Sequence, residues 1–261
     1  MEKSDSPQAL RSHVITYLSK LEKPKGGFSF APTAPPCLKD TYYATLTFRI
    51  LGENGLPSPA TKEWVRNEPF HPEAPLSTLS CHVKLCRLLE IPPQASPLRE
   101  RIKEELGKYP APRRLAHLRS IVELIGSREE IDAFKGLTQR IDPHPTSRDT
   151  SETLFYKATL TRNQGDRWKA EIAEWLKCCR NGDGGYGCRP NTTSFLEHLY
   201  WATRLMELAG ITITEEEKRE SVQFVLCSRS KRGGFGRAPE GVPFIDSSYH
   251  AIWILRFFND I

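Results

Sequence analysis

The chain has 261 residues, and its 38% hydrophobic and 26% charged content is enough for a sizeable core and excludes a disordered or fibrous protein. The net charge of +5 is small, and the basic residues are interspersed with acids rather than forming the basic stripe of a nucleic-acid binder. The most apolar stretch, 251–258, is interrupted by Arg256, so no transmembrane segment is expected. The polar N-terminus lacks the apolar region of a signal peptide, and the seven cysteines are odd in number. We therefore expect reduced thiols in a cytoplasmic protein.

Two kinds of helical segment alternate along the chain. The first kind carries many charges on one face, which is typical of a helix that lies against water. These outer segments are predicted at 7–22, 59–68, 97–108, 127–141, 166–180 and 214–228. Ser127 and Thr214 each begin a capping box, with a glutamate three residues later. The second kind is richer in apolar and aromatic residues. These inner segments begin near residues 40, 77, 112, 152, 197 and 246.

Three of the inner segments follow a loop that opens with two glycines and an aromatic residue. The loops read GGFSFAP from Gly26, GGYGCRP from Gly184 and GGFGRAP from Gly233. An acid then leads each helical run, and a tyrosine follows three residues later. These pairs are Asp40/Tyr43, Glu197/Tyr200 and Asp246/Tyr249. Paired glycines permit a sharp turn from outer to inner helix, and a repeat of about 35–50 residues indicates a repeat architecture.

Six alternations of a charged outer helix and an apolar inner helix predict a ring of six helical hairpins. The expected fold is therefore all-α, an α6/α6 toroid that forms a single domain over residues 1–261.

The acids at the inner-helix starts have two interpretations. Asp40, Glu197 and Asp246 could cap the helix N-termini, or they could be ligands or proton donors at one mouth of a central cavity. The inner aromatic residues could likewise be core, or they could line a pocket for a long apolar ligand with a carbocation-like centre. The candidate pocket residues are Tyr43, Tyr200, Trp201, Tyr249 and Trp253.

The glycine repeats and the acid-x-x-Tyr pattern resemble those of the prenyltransferase and squalene-cyclase repeat superfamily, and they are most similar to the β subunit of protein prenyltransferases. The resemblance is strong over 26–51 and 181–260 and weak between them. It implies that Arg189, in the place of the family's loop arginine, and Tyr200 bind an isoprenoid diphosphate. It also implies that a helical-repeat protein subunit could be a partner.

The zinc site of the resembled family is altered in this chain. When the repeats are aligned on their tyrosines, Glu197 stands in place of the family aspartate, Leu199 in place of the cysteine and Asp246 in place of the histidine. Leu199 cannot bind a metal, so the usual zinc-dependent prenylation of a protein cysteine is not expected. The two carboxylates could instead hold Mg²⁺ with diphosphate oxygens, which leaves a divalent metal, Mg or Zn, at Glu197 and Asp246 as a prediction.

The resemblance favours a prenyltransferase-like protein that binds a prenyl diphosphate in an aromatic-lined cavity, with Asp246, Glu197 and Asp40 as catalytic acids. One alternative is an atypical terpene cyclase in which a lone carboxylic acid donates the proton, since the D-x-D-D motif of the cyclases is missing. Another is a non-catalytic toroid that binds isoprenoids or a protein. A fourth is an inverting glycosidase, since the same toroid serves carbohydrate enzymes with paired acids.

Overall fold

The computed structural model describes residues 6–71, 73–93, 95–108, 111–161 and 165–261, and their regular structure is helical. Residues 1–5, on which the signal-peptide prediction partly depends, lie outside the described residues. The helices are α1 (Pro7–Ser19), α2 (Leu38–Ile50), α3 (Pro59–Asn67), α4 (Leu76–Leu88), α5 (Ala95–Leu106), α6 (Pro112–Ile125), α7 (Arg128–Thr138), α8 (Ser151–Leu160), α9 (Asp166–Cys179), α10 (Leu196–Ala209), α11 (Glu215–Cys227) and α12 (Ile245–Phe257). Each predicted outer or inner segment corresponds to one helix, so the all-α prediction is confirmed.

The even-numbered helices form a closed inner ring. Each packs against the next even-numbered helix along the chain, and α12 packs against α2. The odd-numbered helices lie outside; α3, α5, α9 and α11 pack against α4, α6, α10 and α12 respectively. The predicted α6/α6 toroid is therefore confirmed. Within the described ranges, no helix is long and apolar enough to cross a membrane.

Capping and burial explain why these segments are helical. Ser127 and Thr214 form the two predicted capping boxes at the starts of α7 and α11. The buried residues form two apolar clusters, one joining α1, α2 and α8–α12 and the other joining α3–α7. All seven cysteines lie in described positions and none forms a disulfide.

The paired glycines allow each loop to touch the next outer helix. Gly26 has φ +92°, and a Cβ there would lie 2.2 Å from the carbonyl oxygen of Ala60 in α3. A Cβ at Gly184 would lie 2.4 Å from the carbonyl oxygen of Glu220 in α11. The third loop closes the ring, because Gly233 lies against α1, with 2.9 Å between its added Cβ and the Cβ of Tyr17. Only glycine fits such contacts, so these loops join neighbouring hairpins.

Candidate functional site

The three Gly-Gly loops fix the register of the inner helices that follow them. In each loop, the N–H of the next helix's N-cap residue donates to the carbonyl oxygen of the aromatic residue after the glycines. These bonds run from Cys37 to Phe28, from Phe195 to Tyr186 and from Phe244 to Phe235. The N-cap lies nine residues after the aromatic in every loop, so equivalent positions can be counted from the N-cap.

This count shifts the first repeat by one residue relative to the sequence pairing. The second position after the N-cap is Lys39 in α2, Glu197 in α10 and Asp246 in α12. The fifth position is Tyr42, Tyr200 and Tyr249 in the same helices. The pairing of Asp40 with Tyr43 is therefore one residue out of register with the other two pairs, because it matches residue type rather than distance from the loop.

None of the three predicted acids occupies the N-cap position itself, although all three lie in the first turn of their helices and Asp246 accepts from the free N–H of Ser247. The N-cap residues are Cys37, Phe195 and Phe244. Asp40 instead accepts a hydrogen bond from the backbone N–H of Phe30, at 2.8 Å, and so ties the first loop to α2. Burial raises the pKa of Asp40 above its ordinary value, although this hydrogen bond opposes the rise.

The second positions of the six inner helices form one mouth of the ring. They are Lys39, Ser77, Arg113, Glu152, Glu197 and Asp246. We call these six residues the mouth. Two ion pairs join neighbouring helices there. Lys39 Nζ lies 3.0 Å from Asp246 Oδ2, and Arg113 Nε lies 3.3 Å from Glu152 Oε1. The side chains of Asp246 and Glu152 are half-buried, and Glu197 is exposed.

The two half-buried acids of the mouth differ in their affinity for a proton. Burial alone would raise the pKa of Asp246, but the Lys39 ammonium and the N–H of Ser247 together lower it below its ordinary value. Burial raises the pKa of Glu152, and the neighbouring Arg113 does not fully offset this effect. Asp246 therefore stays ionised to a lower pH, and Glu152 is the better candidate for a protonated acid.

Aromatic side chains line the interior of the toroid, one to two helical turns below the mouth. The structure brings together all five predicted pocket aromatics. Tyr43 lies 5.1 Å from Tyr249 between ring centroids, and Tyr200 lies 4.9 Å from Trp201, 5.7 Å from Tyr249 and 5.3 Å from Trp253. Phe155 and Tyr156 of α8 join this group through ring contacts with Trp201. We call these seven residues the aromatic wall.

The aromatic wall is crowded but remains partly accessible to solvent. Burial raises the pKa of Tyr43 well above its ordinary value, yet the side chains of Tyr43, Tyr156 and Trp253 are only half-buried. At the same depth, α4 and α6 carry small side chains. These are Ser80, Cys81, Ala116 and Ser120. The aromatic wall therefore faces these small side chains together with the larger His117 and Lys84 of the same two helices.

Two cations lie at the ninth position of opposite inner helices, and sequence reasoning missed both. Arg204 of α10 donates from Nη1 to the Tyr200 hydroxyl at 3.3 Å, and its guanidinium carbon lies 4.9 Å from the ring centroids of both Phe155 and Trp253. Lys84 of α4 lies 5.8 Å from the ring centroid of Tyr42. Counting nine residues from each helix start would have placed both inside the ring.

The structure does not join Arg189 to Tyr200 as the resemblance implies. Arg189 is exposed in the second loop, and its backbone exchanges hydrogen bonds with the Thr192 hydroxyl. The Tyr200 hydroxyl instead pairs with the Tyr249 hydroxyl, at 3.4 Å, and with Arg204. Binding of a diphosphate by Arg189 stays a prediction.

Comparison with known sequences decides the family. The sequence model described as the prenyltransferase alpha-alpha toroid domain matches residues 1–68 and 190–261, which are more than half of the chain. The chain belongs to the prenyltransferase alpha-alpha toroid family. The matched segments contain Lys39, Glu197, Arg204 and Asp246, whereas Lys84 lies outside them. No curated protein matches the chain.

Solved structures share the toroid fold. A glycosidase variant has 10% identity and a TM-score of 0.62, and a wild-type glycosidase has 11% identity and a TM-score of 0.60; each comparison covers 97% of both chains. At this identity the likeness shows the fold alone. Candida albicans protein geranylgeranyltransferase-I complexed with GGPP has 16% identity and a TM-score of 0.27, covering 94% of this chain and 59% of that one; nothing below depends on it.

The donor set in this toroid does not fit the metal that its family resemblance implies. Asp246 accepts from Lys39 Nζ through one oxygen and from the N–H of Ser247 through the other. Leu199, in place of a family ligand, is fully buried. Across the described part of the chain, no three His, Cys, Asp or Glu side chains are grouped to hold a metal ion. A cation at Glu197 and Asp246 would have to displace Lys39, so no step below uses one.

Proposed function

We propose that this toroid binds a prenyl diphosphate inside its ring and transfers the prenyl group to an acceptor. The observation that carries the proposal is the aromatic wall, a group of contacting rings from α2, α8, α10 and α12 in which Tyr200, Trp201 and Tyr249 are buried and the other four side chains are half-buried. An isoprenoid chain gains free energy when such a surface removes it from water. The faces of aromatic rings also stabilise the positive charge that develops on an allylic carbon.

The residues beside the aromatic wall suit a leaving diphosphate. In the proposed reaction, the bond between the first prenyl carbon and the diphosphate oxygen breaks, and the electron pair leaves with the diphosphate. A nucleophile of the acceptor forms the new bond to that carbon. The Arg204 guanidinium and the Tyr200 hydroxyl can donate to the departing oxygens, which accumulate negative charge.

The predicted catalytic acids suit different roles in this proposal. Asp246 has a lowered pKa and is ionised at neutral pH, so it can accept a proton from the acceptor nucleophile. Glu197 is exposed at the mouth, where it can meet an incoming acceptor. Asp40 is held by the N–H of Phe30 and serves the loop. The catalytic roles of all three stay predictions.

The cyclase alternative requires a carboxylic acid that is protonated before it meets the substrate. The lowered pKa of Asp246 opposes that role. Burial raises the pKa of Glu152, another acid of the mouth. In the cyclase alternative, Glu152 would therefore be the proton donor in place of the predicted acids.

Calorimetric titration with geranylgeranyl diphosphate, farnesyl diphosphate and inorganic diphosphate tests the proposal. Because the tail lies on the aromatic wall, we expect the prenyl compounds to bind about 100-fold more tightly than inorganic diphosphate, and longer tails to bind more tightly than shorter ones. Trp253→Leu should weaken the binding of the prenyl diphosphates about tenfold. Trp175→Leu, at a half-buried tryptophan of the outer helix α9, is the matched control. Equal affinity for all three compounds would refute the proposal.

Product analysis separates transfer from its alternatives. Wild-type protein incubated with labelled geranylgeranyl diphosphate and a cell extract as acceptor source should yield labelled prenylated product together with free diphosphate. A cyclic hydrocarbon formed without any acceptor would support the cyclase alternative and should disappear in Glu152→Gln. Binding without turnover in any mixture would support the non-catalytic toroid.

A further inference from the structure

Several polar atoms inside the ring are buried without a hydrogen-bond partner among the described residues. They lie on the inward faces of four inner helices. They are Ser80 Oγ, His117 Nε2, Trp201 Nε1 and His250 Nε2. Folded proteins pair nearly all buried polar groups, so a group of unpaired ones on one internal surface requires an explanation. Three of them lie at the sixth position after the N-cap of α6, α10 and α12, which places them at one depth in the ring.

Each of these four groups is able to donate a hydrogen bond, as is the ammonium of Lys84. The indole nitrogen of Trp201 can only donate a hydrogen bond, and the ammonium of Lys84 has no acceptor. Lys84 has no anionic partner in the described ranges of the chain, and burial lowers its pKa. The pKa of His117 is lowered to about 4, first by burial and then by the charge of Lys84. The neutral imidazole of His117 therefore keeps one N–H to donate.

The two interior cations face one another across the ring. In the order α2, α4, α6, α8, α10, α12, helices α4 and α10 are opposite, so Lys84 and Arg204 approach the centre from opposite sides at the same level. The mouth carboxylates lie seven residues earlier on their helices, which is about 10 Å along the helix axis. Lys84 lacks an anionic partner among the described residues, and Arg204 Nε is paired at 3.3 Å with the exposed Glu207, so an anion between the two cations would add a partner to both.

We propose that Lys84, Arg204, His117 and Trp201 form an oxyanion site inside the ring that takes a diphosphate. The identity of the ligand rests on the proposed function, whereas the donor arrangement of the site does not. This site differs from the one implied by the family resemblance, which uses Arg189 in an exposed loop. Two of its residues, Lys84 and His117, lie in the segment 69–189, outside the family match.

The test is titration of inorganic diphosphate, without a prenyl tail, into wild-type protein and variants, followed by calorimetry and by phosphorus NMR. Lys84→Met keeps the alkyl stem beside Tyr42 and removes the charge, and Trp201→Phe keeps a ring and removes the donor. Each should weaken diphosphate binding by about tenfold or more, the loss expected for one charge-assisted hydrogen bond. Lys169→Met, on the outer helix α9, should leave the affinity unchanged.

Two results would overturn the site. One is an affinity lost in Arg189→Ala but retained in Lys84→Met, which would place the anion at the loop. The other is a wild-type protein that does not bind inorganic diphosphate at all. Titration of farnesol keeps the two proposals apart. Suppose that inorganic diphosphate binds through Lys84, that farnesol does not bind, and that farnesyl diphosphate binds no more tightly than inorganic diphosphate. The oxyanion site then stands and the prenyl assignment fails.

Thermal denaturation excludes a merely structural role for Lys84. A residue that supports the fold would lower the melting temperature when it is replaced. We expect Lys84→Met to melt at a higher temperature than the wild type without ligand, because it removes a desolvated charge that has no partner. Added diphosphate should raise the melting temperature of the wild type and not that of Lys84→Met. A lower melting temperature for ligand-free Lys84→Met would contradict this account.

Discussion

Two regions of the ring reach the same architecture by different means. In the glycine half, which comprises α1, α2 and α8–α12, the Gly-Gly loops press their backbone against the neighbouring outer helix. In the middle half, α3–α7, side chains join the neighbours. The family model matches mainly the glycine half, at 1–68 and 190–261. Six hairpins are needed to close the ring, but two of the three Gly-Gly loops lie inside the family match and the Gly184 loop lies outside it, so a glycine contact does not by itself determine where the family signature is strong.

In the middle half, a buried carboxylate joins neighbouring helices, whereas in the glycine half a close backbone contact joins them. Glu105 of α5 is fully buried, and Arg114 of α6 donates a hydrogen bond of 2.6 Å to each of its carboxylate oxygens. Arg101 lies 3.2 Å from the same carboxylate. Such a pairing can be built from many combinations of residues, so the middle of the chain can keep the fold without resembling the other repeats.

The largest expected effect is that of adding one methyl group in the glycine half. Gly26→Ala would force a Cβ to within 2.2 Å of the Ala60 carbonyl oxygen, at a positive φ that alanine rarely adopts. We expect a loss of about 3–5 kcal/mol in the free energy of unfolding, measured by urea denaturation.

The matched control uses a glycine of the middle half. Gly136 lies within α7, and a Cβ there would meet nothing within 4 Å. Gly136→Ala should therefore stabilise the protein by about 0.5–1 kcal/mol, because alanine is the better helix former. Equal effects at Gly26 and Gly136 would show that the loops do not carry the contact between hairpins.

The second effect is an acid sensitivity that is greatest in the middle half. The bidentate hydrogen bonds from Arg114 lower the pKa of Glu105 below its ordinary value in spite of burial. The ionised pair therefore contributes fully above the ordinary pKa of a glutamate, about 4.5, and its contribution is lost as the pH falls through the lower folded value. Glu105→Gln should cost about 2 kcal/mol at pH 7 and less at pH 3.

Hydrogen exchange locates this acid sensitivity within the fold. Amides of α5 and α6 in the wild type should lose protection at acid pH before those of α10 and α12 do. Glu105→Gln should abolish the difference between neutral and acid pH in the middle half alone. A simultaneous loss of protection throughout the ring would mean that Glu105 does not distinguish the two halves.

The fold was predictable from sequence because its signals are local. Helical periodicity, capping boxes at Ser127 and Thr214 and the glycine pairs each depend on a few consecutive residues. They predicted the twelve helices even in the middle half, where the repeat is weak. The closure of the ring followed from the number of hairpins, and the contact of Gly233 with Tyr17 shows how α1 completes it.

The site was less predictable because its residues approach one another only through the ring. Tyr43, Tyr200, Trp201, Tyr249 and Trp253 were found because aromatics on inner helices stand out by type. Lys39 was missed because the first repeat was aligned on its acid rather than counted from the loop aromatic. Arg204 and Lys84 were missed because charged residues are ordinarily assigned to outward faces.

The smallest expected effect lies at the mouth, where the first and last inner helices meet. Lys39 is 59% exposed, so its ion pair with Asp246 is largely screened by water. Lys39→Met should therefore change the free energy of unfolding by about 0.5 kcal/mol or less. The same substitution should raise the pKa of Asp246, because burial would no longer be opposed by the ammonium, and a carbon-13 NMR titration of its carboxyl group would measure the shift. In the wild type, added salt should move that pKa in the same direction. A pKa that does not respond to either change would mean that Lys39 does not hold Asp246 ionised, and the proton-accepting role proposed for Asp246 would lose its physical basis.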